Sequence, residues 1–89
     1  MKENKFIADI VENVRGGRCP LPMLRAKRAF KQLKTGQIVQ IISTDPNSHS
    51  DFLTMLKHLP HELINFDTLP CEIENYQEEF HFYIRKGDV

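Results

Sequence analysis

The 89-residue sequence is poor in cysteine, holding only Cys19 and Cys71. Two cysteines are too few for a disulfide framework, and they fit a reducing compartment. No apolar run approaches the ~20 residues of a membrane-spanning helix. Lys2 and Lys5 precede no apolar segment long enough for a signal peptide, so the expected location is cytoplasmic, with no membrane partner. Repeats, linkers and low-complexity tracts are also missing. Residues 1–89 are therefore expected to form one domain, with residues 1–5 disordered. A domain of this size can build a core but has little room for a deep pocket.

Net charge is missing too, although the zero hides a division. Residues 1–36 carry nine Lys/Arg against three Asp/Glu, and residues 37–89 carry three against nine. Such asymmetry suits a basic face that meets an acidic partner; it also suits a solvated basic helix balanced by acidic strands.

The apolar pattern gives six elements. Residues 6–15 read as a strand closed by Gly16-Gly17. Met23, Ala26, Phe30 and Leu33, with Ala29 alongside, form one apolar stripe on a helix over residues 20–34, with Gly36 as its expected left-handed cap. Residues 37–44 are apolar on both parities, as in a strand flanked on both sides. Asp45-Pro46-Asn47 breaks that run. A second helix follows with Phe52, Met55, Leu56 and Leu59 on one face, capped by Ser48 with Asp51 or by Asp45, and stopped by Pro60. Residues 61–69 form a further strand. Pro70 demands an edge, a bulge or a turn there, because proline cannot donate to a ladder. A hairpin turn is expected near residues 76–79, ahead of the alternating strand through Phe80, Phe82 and Ile84. The order βαβαββ predicts an α/β fold, a two-layer α/β sandwich. Its mixed four-stranded sheet would have right-handed crossovers and both helices on one face.

The densest chemistry lies in Gly16-Gly17-Arg18-Cys19-Pro20-Leu21-Pro22. Proline is tolerated in a first helical turn because its missing N–H would lack a partner there. The helix therefore begins at Pro20 or Pro22, with Cys19 just before it. The positive end of the helix dipole, Arg18 beside the thiol, and Arg25 and Lys27 about two turns on all favour thiolate over thiol. From a free-thiol value of ~8.5, a modest shift ionises Cys19 near neutrality. Lys31 and Lys34 suit the last turn of the helix, whereas Arg25 and Lys27 near its start do not, which suggests docking.

What surrounds the thiol narrows its chemistry. A thioredoxin-type dithiol needs a second cysteine where Pro22 stands. A cysteine hydrolase needs a histidine base, and His49, His58, His61 and His81 show no pattern that ties them to Cys19. A lone activated thiolate can still exchange sulfur, a displacement that needs no general base.

The same residues resemble the TusA (SirA-like) family of sulfur carrier proteins. Gly16, Arg18-Cys19-Pro20-x-Pro22, Gly36, Asp45-Pro46, His61-Glu62-Leu63 and Tyr83-x-Arg85-Lys86-Gly87 fall in family order over nearly the whole chain. The resemblance implies that Cys19 takes sulfur as a persulfide from a cysteine desulfurase and passes it to an acceptor protein. In some members the sulfur ends in 2-thiouridine of tRNA, and in others it serves sulfur oxidation. It further implies that Pro20 and Pro22 shape the loop, that Asp45 lies near the cysteine, and that Lys27 and Lys31 dock partners; Arg18 and Arg25 join them as partner contacts on the charge reading above. Leu21 departs from the acidic residue of tRNA-thiolating members, Pro60 from a common glycine, and residues 69–79 are longer than in the shortest members.

Two other functions compete. Cys19 and Cys71 could form a redox or regulatory thiol module, with a reversible disulfide under mild oxidant. The basic helix could hold RNA by its backbone, with steep salt dependence. Zero net charge argues against direct nucleic-acid binding. His58 and His61 lack company at zinc-ligand spacing, and neither a metal nor another cofactor is expected.

Overall fold

A computed structural model describes residues 7–18, 20–73 and 75–88. The elements are β1 (Ile10–Val14), α1 (Leu21–Gln32), β2 (Ile38–Ser43), α2 (Ser48–Leu56), β3 (Glu62–Pro70) and β4 (Glu78–Arg85). They form the predicted βαβαββ sandwich. The sheet order is β1-β2-β4-β3, with β1 parallel to β2 and β4 antiparallel to both of its neighbours. Strand β4 thus returns between the two strands that α2 connects.

One layer of side chains joins the helices to the sheet. Val14, Val39, Ile41, Phe82 and Ile84 face Ala26, Ala29, Phe30 and Leu33 of the α1 segment and Phe52 of α2. Phe52 meets Phe82 with ring centroids 4.7 Å apart, and Phe66 of β3 joins the same group. Both predicted helical stripes are therefore core. Burial of each large side chain contributes on the order of 1.5–3 kcal/mol before entropy is subtracted.

The boundaries differ from expectation where side chains compete with the ladder. Strand β1 begins only at Ile10. Asp9 precedes it, accepting from the Ile38 N–H on its carboxylate at 2.9 Å and donating its own N–H to the Ile38 carbonyl at 2.7 Å. Phe6, the expected start, lies outside the described residues. Helix α1 starts at Leu21, with Pro20 as N-cap and Pro22 buried in the first turn. It ends at Gln32, because Leu33 turns extended while staying in the core. Gly36 does take a positive φ of 91°, but four residues past the helix, so it serves the turn into β2 and not a helix cap.

Ahead of α2 the N-cap is Asn47, with no side-chain cap bond, in place of the expected Ser48 or Asp45. Asp45 shapes the turn before the helix instead. Its carboxylate accepts from the Asn47 N–H at 3.0 Å and its carbonyl from the Ser48 hydroxyl at 2.6 Å, and Ser48 becomes the first helical residue. The helix stops at Leu56, one turn before Pro60, in tight turns closed by His58 and Leu59. Pro70 ends β3, which is an edge strand as its proline requires. The hairpin turn comes earlier than expected. Tyr76 donates to the Ile73 carbonyl at 3.2 Å and Asn75 takes φ 76°, a conformation that asparagine tolerates, so Glu78 and Glu79 already belong to β4.

Candidate functional site

The two ends of the sheet are built differently. At the end where β1 starts, residues far apart in sequence lock together. The Gly87 N–H donates to His61 Nδ1 at 3.0 Å, and the Lys86 ammonium donates to the Leu33 carbonyl at 2.6 Å. Gly36 and Lys86 exchange backbone bonds with their neighbours across the same corner. A Cβ on Gly87 would stand 2.0 Å from the Pro60 carbonyl oxygen, so only glycine fits. The His61-Glu62 and Arg85-Lys86-Gly87 motifs therefore meet as one structural corner, closed at the surface by the Arg85–Glu62 ion pair.

The opposite end carries the turn that leads into Cys19. Cys19 itself lies outside the described residues, and its flanks are described. Gly16 takes φ 84°, and its N–H donates to Thr44 Oγ1 at 2.9 Å, just before Asp45. A Cβ on Gly17 would collide with Leu21 at 2.4 Å. Leu21 donates back to the Arg18 carbonyl at 2.8 Å, and Arg18 and Pro20 are exposed. The β3–β4 hairpin leans over the same turn, with the Tyr76 hydroxyl 3.5 Å from the Gly16 carbonyl. Asp45 thus shares this end of the sheet with Gly16, and it is buried.

Helix α1 has no acidic residue in its first turn, which leaves its positive end uncompensated from within. Of the basic residues, Arg25 pairs with Glu12 of β1 at 3.0 Å, an inward contact that accounts for a cation near the helix start. Lys27, Arg28 and Lys31 are exposed and have no ion pair among the described residues. They share one helical stripe with Leu24, which is 56% exposed, at i, i+3, i+4 and i+7. Beside them lies a groove of about 390 Å³ between the helices, floored by Met23, Met55 and Leu59 and edged by Lys27 and His58.

One cluster was not foreseen. Arg15 grips Glu79 with two hydrogen bonds of 2.9 and 2.7 Å; Glu79 meets His81 Nε2 at 2.5 Å, and His81 Nδ1 lies 3.0 Å from the Gln40 amide. The hydrogen bonds from Arg15, aided by His81 and opposed by burial, hold the Glu79 carboxyl at about 2. The sequence put Glu79 in the expected hairpin turn and only His81 in the strand, and Arg15 joins them through the strand order. No group of three or more His, Cys, Asp or Glu able to hold a metal occurs among the described residues. Among the described residues no helix is long and apolar enough to cross a membrane.

The two-layer scaffold and its glycine turn feeding a basic helix place the chain among small two-layer α/β domains. The family described as sulfurtransferase TusA matches residues 11–86. The sulfur carrier protein TusA of Allochromatium vinosum is 38% identical over 72 residues, 81% of this chain and 86% of its own. The putative sulfur carrier protein YrkI of Bacillus subtilis is 30% identical over 80 residues, 90% of this chain and 97% of its own. A solved SirA-like protein from Desulfitobacterium hafniense shares the fold with a TM-score of 0.64 at 22% identity, covering 89% of this chain and 99% of that one. The chain belongs to the TusA family of sulfur carrier proteins.

Proposed function

We propose that Cys19 carries sulfur as a persulfide between a cysteine desulfurase and an acceptor protein in the cytoplasm. The Cys19 thiolate attacks the outer sulfur of the donor's Cys–S–SH. A new S–S bond forms, the donor's S–S bond breaks, and the donor leaves as thiolate, so Cys19 holds S–SH. An acceptor thiolate repeats the displacement and returns Cys19 to thiolate, with no outside oxidant or base.

The observation that supports this most is the frame on either side of the cysteine. Arg18 and Pro20 are exposed, and the helix that follows has a positive end and no acid in its first turn. Lys27, Arg28 and Lys31, with Leu24, offer a partner a cationic stripe with an apolar contact, and Arg18 adds a charge beside the cysteine. Arg25 adds charge from its place beside Glu12. The destination is an acceptor protein, in tRNA 2-thiouridine synthesis or alternatively in sulfur oxidation. Thiouridine content of tRNA in a strain lacking the protein separates the two.

Incubation with a cysteine desulfurase and free cysteine should add one sulfur to the intact mass, and Cys19→Ser should abolish the addition. A wild-type chain that gains no sulfur from any of several desulfurases overturns the reading.

A further inference from the structure

The Arg15–Glu79 pair adds an ionic contact beyond the apolar core. It lies on the sheet face turned away from the helices, outside the apolar core. A partly buried ion pair is seldom more stable than apolar side chains of the same volume. Its partners are nevertheless fully arranged: two bonds from the guanidinium, His81 behind the carboxylate and Gln40 behind His81. The chain of contacts crosses from the end of β1 over β4 to β2.

Arg15 is also the last residue before the glycine turn. Gly16 is tied on its N–H by Thr44 and on its carbonyl side by Tyr76. Three elements thus converge on two consecutive residues, and beyond them only Gly17 and Arg18 remain before Cys19. Displacement at sulfur between two proteins requires the attacking and leaving sulfurs to align. Misplacement by about 1 Å can cost up to ~100-fold in rate. A turn built on two glycines supplies little stiffness of its own.

We propose that Arg15 and Glu79 are positioning residues for sulfur transfer, holding the Arg15–Arg18 turn against the sheet so that partner proteins meet the thiol in one orientation. This rests on the carrier reading above. Because the pair acts as a unit, removing either half should cost as much as removing both.

The test compares Arg15→Met, Glu79→Met, the double variant and Arg15→Lys with wild type in three measurements. These are amide hydrogen exchange, sulfur uptake from a cysteine desulfurase, and alkylation of Cys19 by iodoacetamide in a Cys71→Ser background. The expected result is faster exchange at Gly16, Gly17 and Arg18, unchanged exchange at Gly36 and Gly87, and roughly tenfold slower uptake from the protein donor. Alkylation by the small reagent, which approaches from any direction, should stay within about twofold. The double variant should be no slower than the singles, and Arg15→Lys should recover part of the loss. Unchanged exchange in the turn overturns the proposal, as does unchanged uptake when exchange is faster. Equal slowing of uptake and alkylation also overturns it, because reactivity and not orientation has then changed. A wild-type chain that takes up no sulfur defeats the carrier reading, and the exchange rates still decide whether the pair holds the turn.

Discussion

The Gly87 N–H is hydrogen-bonded to His61 Nδ1, and the His61 ring rests on Phe30 with centroids 4.1 Å apart. Nδ1 is therefore an acceptor, so the ring is neutral with its proton on Nε2. Burial, and then the positive charge of Lys86, push the His61 pKa below its usual 6.5. In the window below 6.5 the unfolded chain binds the proton more readily than the folded one. Stability present at neutral pH should therefore be lost as pH falls through 6.5 and below. An NMR titration of the His61 ring should give an apparent pKa under 6.5.

The same corner predicts a steric effect. In Gly87→Ala the new methyl meets the Pro60 backbone, which cannot rotate away. The variant should lose about 2 kcal/mol or more in urea unfolding, in the range of overpacked sites. Ala at Gly16, where a Cβ meets nothing within 4 Å, would pay only for its positive φ.

Glu79 gives a second acid dependence with the opposite chemistry. Its folded value of about 2 lies below the usual 4.5, so ionised Glu79 stabilises the fold above 4.5. That contribution should disappear as pH falls from 4.5 to about 2. Glu79→Gln cannot titrate. Its deficit in urea midpoint relative to wild type should be largest at neutral pH and shrink through this window. A constant deficit would mean that the Arg15 pairing does not hold the carboxylate.

The basic residues of α1 should separate into two kinds. Arg25→Ala removes a partner from Glu12, whose side chain is only 15% exposed, and should cost about 0.5–1 kcal/mol. Lys27→Glu and Lys31→Glu alter exposed groups and should change stability by less than about 0.5 kcal/mol. Both reversals should instead weaken association with a cysteine desulfurase, with the loss diminishing at high salt. Calorimetric binding and urea unfolding on the same variants check both statements.

Most of the architecture was legible in the sequence because its apolar spacing has one consistent solution. Met23, Ala26, Phe30 and Leu33 can face a single core only on a helix, and Phe80, Phe82 and Ile84 only on a strand. Pro70 called for an edge, a bulge or a turn, and β3 is an edge strand. Misplaced features were those decided by local backbone and side-chain bonding: Asp9 at the start of β1, the Asp45 turn that leaves Asn47 as the N-cap of α2, and the positive φ of Asn75 in the hairpin turn. Such bonds depend on which backbone groups are free, and that follows only from the register. Arg25 shows the same limit at the site. Its position against the helix dipole suggested docking, whereas Glu12, which breaks the apolar parity of β1, faces the helix and accounts for it. Arg15, Glu79 and His81 escaped notice because nothing in the sequence places the end of β1 beside the start of β4.

Cys71 separates the carrier from a two-thiol redox module. It follows β3 on the hairpin whose Tyr76 touches Gly16, and its N–H bonds to the Gln77 carbonyl. Its sulfur is near enough to Arg15 to add to the pull, led by the Glu79 hydrogen bond, that raises the guanidinium pKa. The second thiol thus lies at the same end of the sheet as the glycine turn, and proximity alone does not decide its role. A carrier that uses only Cys19 should take up sulfur at an unchanged rate, within about twofold, when Cys71 is replaced by serine, since displacement at sulfur needs one nucleophile. Intact-mass spectra of Cys71→Ser should show the same single added sulfur, and Cys19→Ser should show none. If Cys71→Ser abolishes uptake, or mild oxidant converts the wild type fully and reversibly to an internal disulfide, the second thiol belongs to the mechanism and the single-cysteine relay is wrong.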